Sequence, residues 1–247
     1  MDLESQMNSG GRRLWAVADV SVDGAYAPNI QLTLQEGMTI TGAVSFDGSA
    51  QQPPLNRVRV TLGPLGQAMN SNGISTLTAT ADTNGRFTFT GVSPGQYRIR
   101  ATGAAGWTVK GVMADGKDTL DFPLEVKPGE NLSNVNVEFT DKFTDLKGTI
   151  QSQNGQPTSD FTVIIFAADQ RYWVPLGRRI RSARPSTDGK FSFNGLPAGD
   201  YRIAALTDVE PGAWNDPALL QQLMSASLAV RLVEGQSVVQ DIRVSGG

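Results

Sequence analysis

The feature that most constrains the fold of this chain is an internal repeat. Residues 82–101 read DTNGRFTFTGVSPGQYRIRA and residues 186–205 read STDGKFSFNGLPAGDYRIAA, which are identical at 10 of 20 positions with a constant offset of 104. In each copy, two phenylalanines at period two follow a turn dipeptide, and a Gly-bounded turn leads to a Tyr-Arg-Ile strand. Such alternation places both phenylalanines on one face of a strand. We therefore predict a β-hairpin written twice, once in each of two homologous β domains.

The rest of the chain reads as short strands separated by Gly/Pro turns, most with β-branched residues at period two. The candidate strands are 39–45, 58–62, 76–80, 120–126, 134–139, 146–151, 162–167, 228–233 and 239–244. The one convincing helix is 215–224, with Asn215 or Asp216 as N-cap and Pro217 in its first turn. This pattern predicts an all-β chain of two tandem, antiparallel Greek-key β-sandwiches with one short helix in the second domain.

A weaker echo of the repeat lies at the N-terminus. Residues 14–24 (LWAVADVSVDG) align with residues 106–116 (GWTVKGVMADG), matching at a tryptophan, two valines and the final Asp-Gly pair. We therefore expect residues 1–34 to be a tail and the closing strands of an incomplete preceding repeat. Complete sandwiches are then expected at 35–142 and 143–247. Closing strands without their own sheet would pair with an exposed strand edge and produce a homo-oligomer.

The amino-acid composition excludes several classes of enzymatic chemistry. The chain has no histidine and no cysteine, which excludes Ser-His-Asp and Cys-His nucleophiles, imidazole acid–base catalysis, disulfides, and His- or Cys-ligated metals. We predict no cofactor, no metal site and no enzyme activity. The formal net charge of -3 supplies no field that attracts nucleic acid. The sequence contains no apolar stretch of the ~18 residues that a membrane span needs, and its first residues lack the order of a signal peptide.

Both copies of the repeat carry the signature D-x-x-G-x-F-x-F-x-G-[VL]-x-x-G-x-Y-x-[IV], with Ser186 in place of the first acidic residue in the second copy. This signature resembles that of the carboxypeptidase regulatory-like domains, which are transthyretin-like (prealbumin-like) sandwiches related to Cna-B modules. The strands 39–44 (TITGAV) and 145–150 (DLKGTI) are similar to the V-x-G-x-V first strand of that family. The resemblance implies an Ig-like sandwich fold and a non-catalytic module of a bacterial exported or cell-surface protein, extracellular or periplasmic. As implied by the family, the module acts as a spacer or binds carbohydrate or protein.

Aromatic residues able to stack on sugar rings cluster in the second domain. Tyr172 and Trp173 follow the strand 162–167 in a polar connection, and Trp214 stands just after a Pro-Gly pair. Flat apolar rings of this kind bury well against pyranose faces. The alternative interpretation is that both tryptophans cover the edge of the core next to the helix 215–224.

An arginine cluster is the one strong local excess of charge. It comprises Arg171, Arg178, Arg179, Arg181 and Arg184. Guanidinium groups match phosphate, sulfate and uronate oxygens. Alternating along a strand 178–184, the same residues would instead keep a sheet edge solvated. With the aromatic residues, Arg178, Arg179 and Arg181 make up the predicted surface for a polysaccharide or a protein partner.

Three carboxylates, Asp208, Glu210 and Asp216, support a different function. A carboxylate pair can hydrolyse glycosides without histidine or cysteine, although caps and turns also account for such residues. The Cna-B resemblance further suggests an isopeptide bond between Lys147 and Asp241. A self-assembling surface or filament subunit is a third alternative.

Overall fold

The computed structural model describes residues 13–17, 31–65, 76–174 and 177–244. These residues form an all-β architecture with a single short α-helix near the C-terminus, as predicted. The chain divides into two compact units. The first takes in the described residues of Met1–Phe46, Gln51–Ala105 and Gly111–Phe139, and the second takes in those of Asp47–Ala50, Gly106–Lys110 and Thr140–Gly247.

The first sandwich consists of two sheets, preceded by a short ribbon. In chain order the strands are β1 (Leu14–Trp15), β2 (Gln35–Glu36), β3 (Met38–Asp47), β4 (Arg59–Pro64), β5 (Leu77–Thr80), β6 (Arg86–Val92), β7 (Gly95–Thr102), β8 (Thr108–Ala114), β9 (Lys117–Asp118), β10 (Leu124–Val126) and β11 (Leu132–Thr140). The sheets have the orders β10-β7-β4-β5 and β6-β3-β11-β8-β9, and β1 pairs with β2 to form the ribbon. A 3-10 helix, Leu55–Arg57, precedes β4. Alternate side chains along these strands are buried and form the core, including Ile40, Val60, Phe87 and Ile99.

The second sandwich repeats this plan. Its strands are β12 (Asp145–Gln151), β13 (Thr162–Ala167), β14 (Ile180–Ala183), β15 (Lys190–Asn194), β16 (Gly199–Leu206), β17 (Leu228–Leu232), β18 (Ser237–Val239) and β19 (Ile242–Arg243). One sheet has the order β14-β13-β16-β17, and the other has the order β15-β12-β18 with β19 also beside β12. The pairings of β12 with β18 and β19 are parallel, so the antiparallel arrangement predicted for the sandwiches does not extend to these two pairings.

The repeated signature is a crossover between sheets, and the predicted hairpin is wrong. β6 pairs with β3, whereas β7 pairs with β4 and β10; in the second copy β15 pairs with β12, whereas β16 pairs with β13 and β17. Gly91 and Gly195, with φ of 68° and 67°, sit at the point where the chain leaves the first strand of each pair, a conformation that favours glycine. Buried and exposed residues alternate in the same way in two strands paired in a hairpin and in two strands of opposite sheets that face each other across a core. The alternation in the sequence therefore does not distinguish the two arrangements.

Some element boundaries also differ from prediction. The expected strand 120–126 is reduced to β10, because residues 119–122 form turns after β9. The expected strand 239–244 is interrupted between β18 and β19. The helix, α1 (Pro217–Leu223), lies within the expected range 215–224, with Pro217 in its first turn as predicted, and follows a 3-10 helix, Ala213–Asn215. Asp216 is its N-cap, since the Asp216 carboxylate accepts a hydrogen bond from the Ala218 amide at 2.9 Å.

β13 is buried on both faces, which explains its uninterrupted apolar sequence. Val163 and Ile165 belong to the main core of the second sandwich. Ile164 and Phe166 belong to a second apolar cluster, which also contains the α1 residues Leu220 and Leu223. The outer face of this sheet is therefore covered by α1 and its preceding loop, which contain the predicted site residues Asp208, Glu210, Trp214 and Asp216.

The N-terminal echo is described only in part. Leu14 and Trp15 pair with Glu36 and Gln35 in an antiparallel ribbon, and the Trp15 indole donates a hydrogen bond to the Glu36 carbonyl at 3.1 Å. The echo positions Val20, Asp23 and Gly24 lie outside the described residues.

Candidate functional site

Trp173 is a core residue of the second unit. Its side chain is 7% exposed, and its indole Nε1 donates a hydrogen bond to the Ala167 carbonyl at 2.7 Å. The ring meets Phe166 edge-on with centroids 5.8 Å apart. A buried indole requires such an acceptor, and its faces here are used for packing. The prediction that Trp173 stacks on a sugar is therefore wrong.

Trp214 and Tyr172 are both half-buried. Trp214 packs on the cluster beneath α1 together with Leu219. The Arg179 guanidinium lies 4.4 Å from the centroid of the Tyr172 ring, a cation–π contact that covers one face. Of the three predicted aromatic residues, these two retain partial exposure, and each is already engaged by its own chain.

The arginines are divided between a turn and a strand. Arg178 and Arg179 lie in the turn before β14, so the expected strand 178–184 is too long. The Arg179 guanidinium donates to the Ala198 carbonyl at 3.0 Å, and Arg178 donates to the Lys110 carbonyl at 2.9 Å. These bonds hold both side chains against backbone carbonyls of the second unit.

The other arginines face solvent. Arg181 is exposed on β14, an outer strand of its sheet in the described part of the chain, and Arg184 is exposed just beyond that strand. Arg171 is exposed and pairs with Asp169 at 2.7 Å. The hydrogen bond from the Arg171 side chain lowers the pKa of the Asp169 carboxyl. The Arg181 position agrees with the interpretation that charge protects a sheet edge.

The three alternative catalytic carboxylates have separate structural settings. Asp216 caps α1. Asp208 is exposed with φ of 50°, in the left-handed region where aspartate is tolerated. Glu210 is exposed, and its backbone carbonyl accepts a hydrogen bond from the Ala213 amide in the turn before α1. No group of three or more acidic side chains in the described ranges could hold a metal ion.

The residues of the predicted isopeptide pair lie where β12 runs beside β18 and β19. Lys147 is exposed on β12. Asp241 is also exposed, and its carboxylate accepts a hydrogen bond from the Thr149 amide at 2.8 Å. Asp241 therefore helps to fix the parallel pairing at this edge of the sheet.

An ionic cluster in the second unit was missed by the sequence reasoning. The Asp47 carboxylate binds the ammonium groups of Lys110 at 2.5 Å and Lys142 at 2.7 Å, and Lys110 also lies 3.2 Å from Glu234. Hydrogen bonds from Lys110 and Lys142 lower the pKa of Asp47 to about 2. Asp47 is 63 and 95 residues from the two lysines, so no local motif could reveal the cluster.

The described helices include none that is long and apolar enough to span a membrane. Residues 35–116 match a family model described as BOS complex subunit NOMO1-like, second beta sandwich domain. This match covers about a third of the chain and supports the β-sandwich part of the sequence interpretation.

A curated relative is Colossin-A of Dictyostelium discoideum, which is 27% identical over an alignment of 150 residues and matches 54% of this chain. The chain spans about 1% of the length of that relative. Similar solved structures include GBS52, the minor pilin of Streptococcus agalactiae, at 14% identity and a TM-score of 0.38, covering 85% of this chain and 96% of that one. A streptococcal ancillary pilin aligns at 12% identity and a TM-score of 0.35, covering 95% of this chain and 75% of that one.

Proposed function

We propose that this chain is a non-catalytic tandem β-sandwich module that serves as a spacer and protein-docking element of an exported or cell-surface protein. The observation that carries the proposal is the use of the candidate site residues by the fold itself. Trp173 fills the core, Tyr172 is covered by Arg179, and Asp216 caps α1. The buried Trp173 ring has no free face for stacking on a sugar, Tyr172 has one face covered, and the Asp216 carboxylate is used as a helix cap.

A protein partner is favoured over a polysaccharide by the character of the exposed surface. The sheet order β14-β13-β16-β17 places β14 and β17 at its ends, and these strands carry exposed Arg181 and Arg231. A strand of another protein can pair with an outer strand of a sheet, and the charges on that outer strand prevent pairing with all but a complementary partner. The NOMO1-like description is that of a β-sandwich domain within a subunit of a complex, which fits a module that works through neighbouring proteins. The cell-surface setting rests on the resemblance to Cna-B modules.

A glycan-array screen of the purified chain tests the choice of partner. We expect no specific binding. Glycan binding that is lost in Trp214→Ala or Tyr172→Ala, but retained in a control variant of the exposed Arg171, would replace the proposal with a carbohydrate-binding module.

Catalysis is tested separately with reducing-sugar release from a panel of polysaccharides. The chain is expected to release no more sugar than a Glu210→Gln variant. Turnover by the unmodified chain that disappears in Glu210→Gln or Asp208→Asn would establish a hydrolase instead.

A further inference from the structure

The N-terminal ribbon corresponds to two particular strands of a complete sandwich. Residues 14–17 align with residues 106–109, at the start of β8. In the first sandwich β8 lies beside β11, and in the ribbon β1 lies beside β2. The segment 31–36 therefore occupies the place of β11.

The sequence of this segment supports the correspondence. Leu32 and Leu34 alternate in the same way as Val137 and Phe139 of β11. Both pairs precede a first strand by nearly the same distance, since Leu34 is eight residues before Gly42 and Phe139 is nine before Gly148.

The two pairs of side chains differ strongly in their exposed fraction. Val137 and Phe139 are 0% and 2% exposed, whereas Leu32 and Leu34 are 56% and 64% exposed. Leu14 pairs with Glu36 and therefore lies on the same face of the ribbon as Leu34, and it is 44% exposed. Large apolar side chains grouped in this way mark an interaction surface, and an isolated two-stranded ribbon is marginally stable without one.

The complete sandwich shows what covers this surface. β11 is flanked by β8 on one side and by β3, the first strand of the sandwich, on the other. The ribbon supplies the equivalents of β8 and β11 and lacks the equivalent of β3. The first strands of this chain are already flanked on both sides, β3 by β6 and β11, and β12 by β15 and β18.

We propose that residues 13–17 and 31–36 form the closing edge of a further sandwich. Their partner is a β-sandwich of this same repeat type whose first strand has an open edge, and whose core buries Leu32 and Leu34 as Val137 and Phe139 are buried. A second copy of this chain does not offer that edge unless it gives up a strand of its own. Docking through the ribbon is independent of any ligand bound by the second unit.

In the experiment that tests this proposal, the missing strands of the further sandwich are provided by a second copy of part of this chain. A copy of residues 35–104 is placed directly before Arg13 of the full chain, because Arg13 aligns with residue 105. Amide hydrogen exchange of residues 31–36 is expected to slow at least tenfold relative to the unextended chain. The matched controls are the extended chain with Leu32→Asp and Leu34→Asp, which should remain fast, and with Thr33→Asp, which should become slow. Equally fast exchange in the extended and unextended chains overturns the proposal.

Two measurements on the unextended chain do not depend on folding of the extension. Leu32→Asp with Leu34→Asp should leave the thermal midpoint unchanged, because neither leucine belongs to a core of this chain. A fall of several degrees would mean that both leucines pack on the chain's own units. A concentration-dependent dimer that protects residues 31–36 and is lost in the same variant would identify a second copy as the occupant; either result overturns the proposal.

Discussion

Trp173 shows how long-range contacts decide the role of a residue. Its indole is bonded to Ala167 and packed against Phe166 beneath α1. Trp173→Ala should lower the free energy of unfolding of the second unit by about 3–5 kcal/mol, as expected for a large buried ring. Urea unfolding measures the change, with Tyr172→Ala as the comparison because that ring is half-buried. Equal, small losses in the two variants would contradict the core assignment of Trp173.

The turns that open the two signatures use different residues for the same task. In the first copy, the Asp82 carboxylate accepts hydrogen bonds from the amides of Asn84 and Arg86, both at 2.8 Å. In the second copy Ser186 replaces the aspartate, and its hydroxyl donates to the Asp188 carboxylate at 2.5 Å. The carboxylate of the turn is therefore two residues later in the second copy than in the first, at Asp188. This explains why the turn is retained although Ser186 stands where the first copy has an aspartate.

This shift has a consequence for the pH dependence of stability. Hydrogen bonds from the Lys190 side chain and the Ser186 hydroxyl lower the pKa of Asp188 from 3.8 to about 2. A carboxyl with a lowered folded-state pKa stabilises the fold above its unfolded-state value, and that stabilisation is lost as the pH falls from about 4 to 2. Wild-type protein should therefore lose more stability over this window than Asp188→Asn, in urea titrations at each pH. Parallel losses in both proteins would show that Asp188 contributes little.

The residues in these examples also show what the sequence alone could reveal. Alternation correctly predicted that Phe191 and Phe193 lie on one face of their strand, and both are buried, because side-chain direction is a local property of a strand. The burial of Trp173 depends on a helix that begins more than forty residues later. No pattern within the neighbourhood of Trp173 contains that information.

At the scale of elements, the first strand of each sandwich contains a glycine with a steric role. A Cβ on Gly42 would lie 2.4 Å from the Phe87 ring and 2.3 Å from the Val135 carbonyl oxygen. The equivalent Gly148 is as crowded, by Phe191 of the signature and by the backbone at Gln240. The glycine of the first-strand motif therefore contacts the first phenylalanine of the signature on the neighbouring strand.

Gly148→Ala should consequently destabilise the second unit by at least the ~1–3 kcal/mol typical of an overpacked core. The change is measured by thermal or urea unfolding. Gly63→Ala in β4 is the matched control, because a Cβ there meets only the Arg98 carbonyl oxygen at 3.8 Å. A Gly148→Ala protein as stable as Gly63→Ala would contradict the close approach.

The topology of the elements was harder to predict than their existence. Most strands were predicted within a few residues of their bounds, whereas the signature strands were placed in one hairpin and lie in two sheets. Local turn chemistry at Gly91 and Gly195 is compatible with either connection. The choice is made by distant partners, since β3 and β12 bind the first signature strand on the opposite side of the core.

At the scale of the whole molecule, the repeat offers a matched pair of probes for the two compact units. Ile99 and Ile203 occupy the same position of the signature, on β7 and β16, and are 0% and 1% exposed. Truncation of either to alanine should cost about 2–5 kcal/mol, because each leaves a cavity in a fully packed core. Each unit has its own buried core, so we expect each substitution to destabilise the unit that contains it.

Hydrogen exchange measured by mass spectrometry distinguishes the units, because peptides can be assigned to each. Ile99→Ala should accelerate exchange in β4 and β7 and leave β13 and β16 unchanged, and Ile203→Ala should do the reverse. Acceleration of both units by either substitution would mean that the chain unfolds as one cooperative body. For a spacer built from repeats, we expect each substitution to accelerate exchange only in its own unit, because each sandwich then remains folded when its neighbour is destabilised.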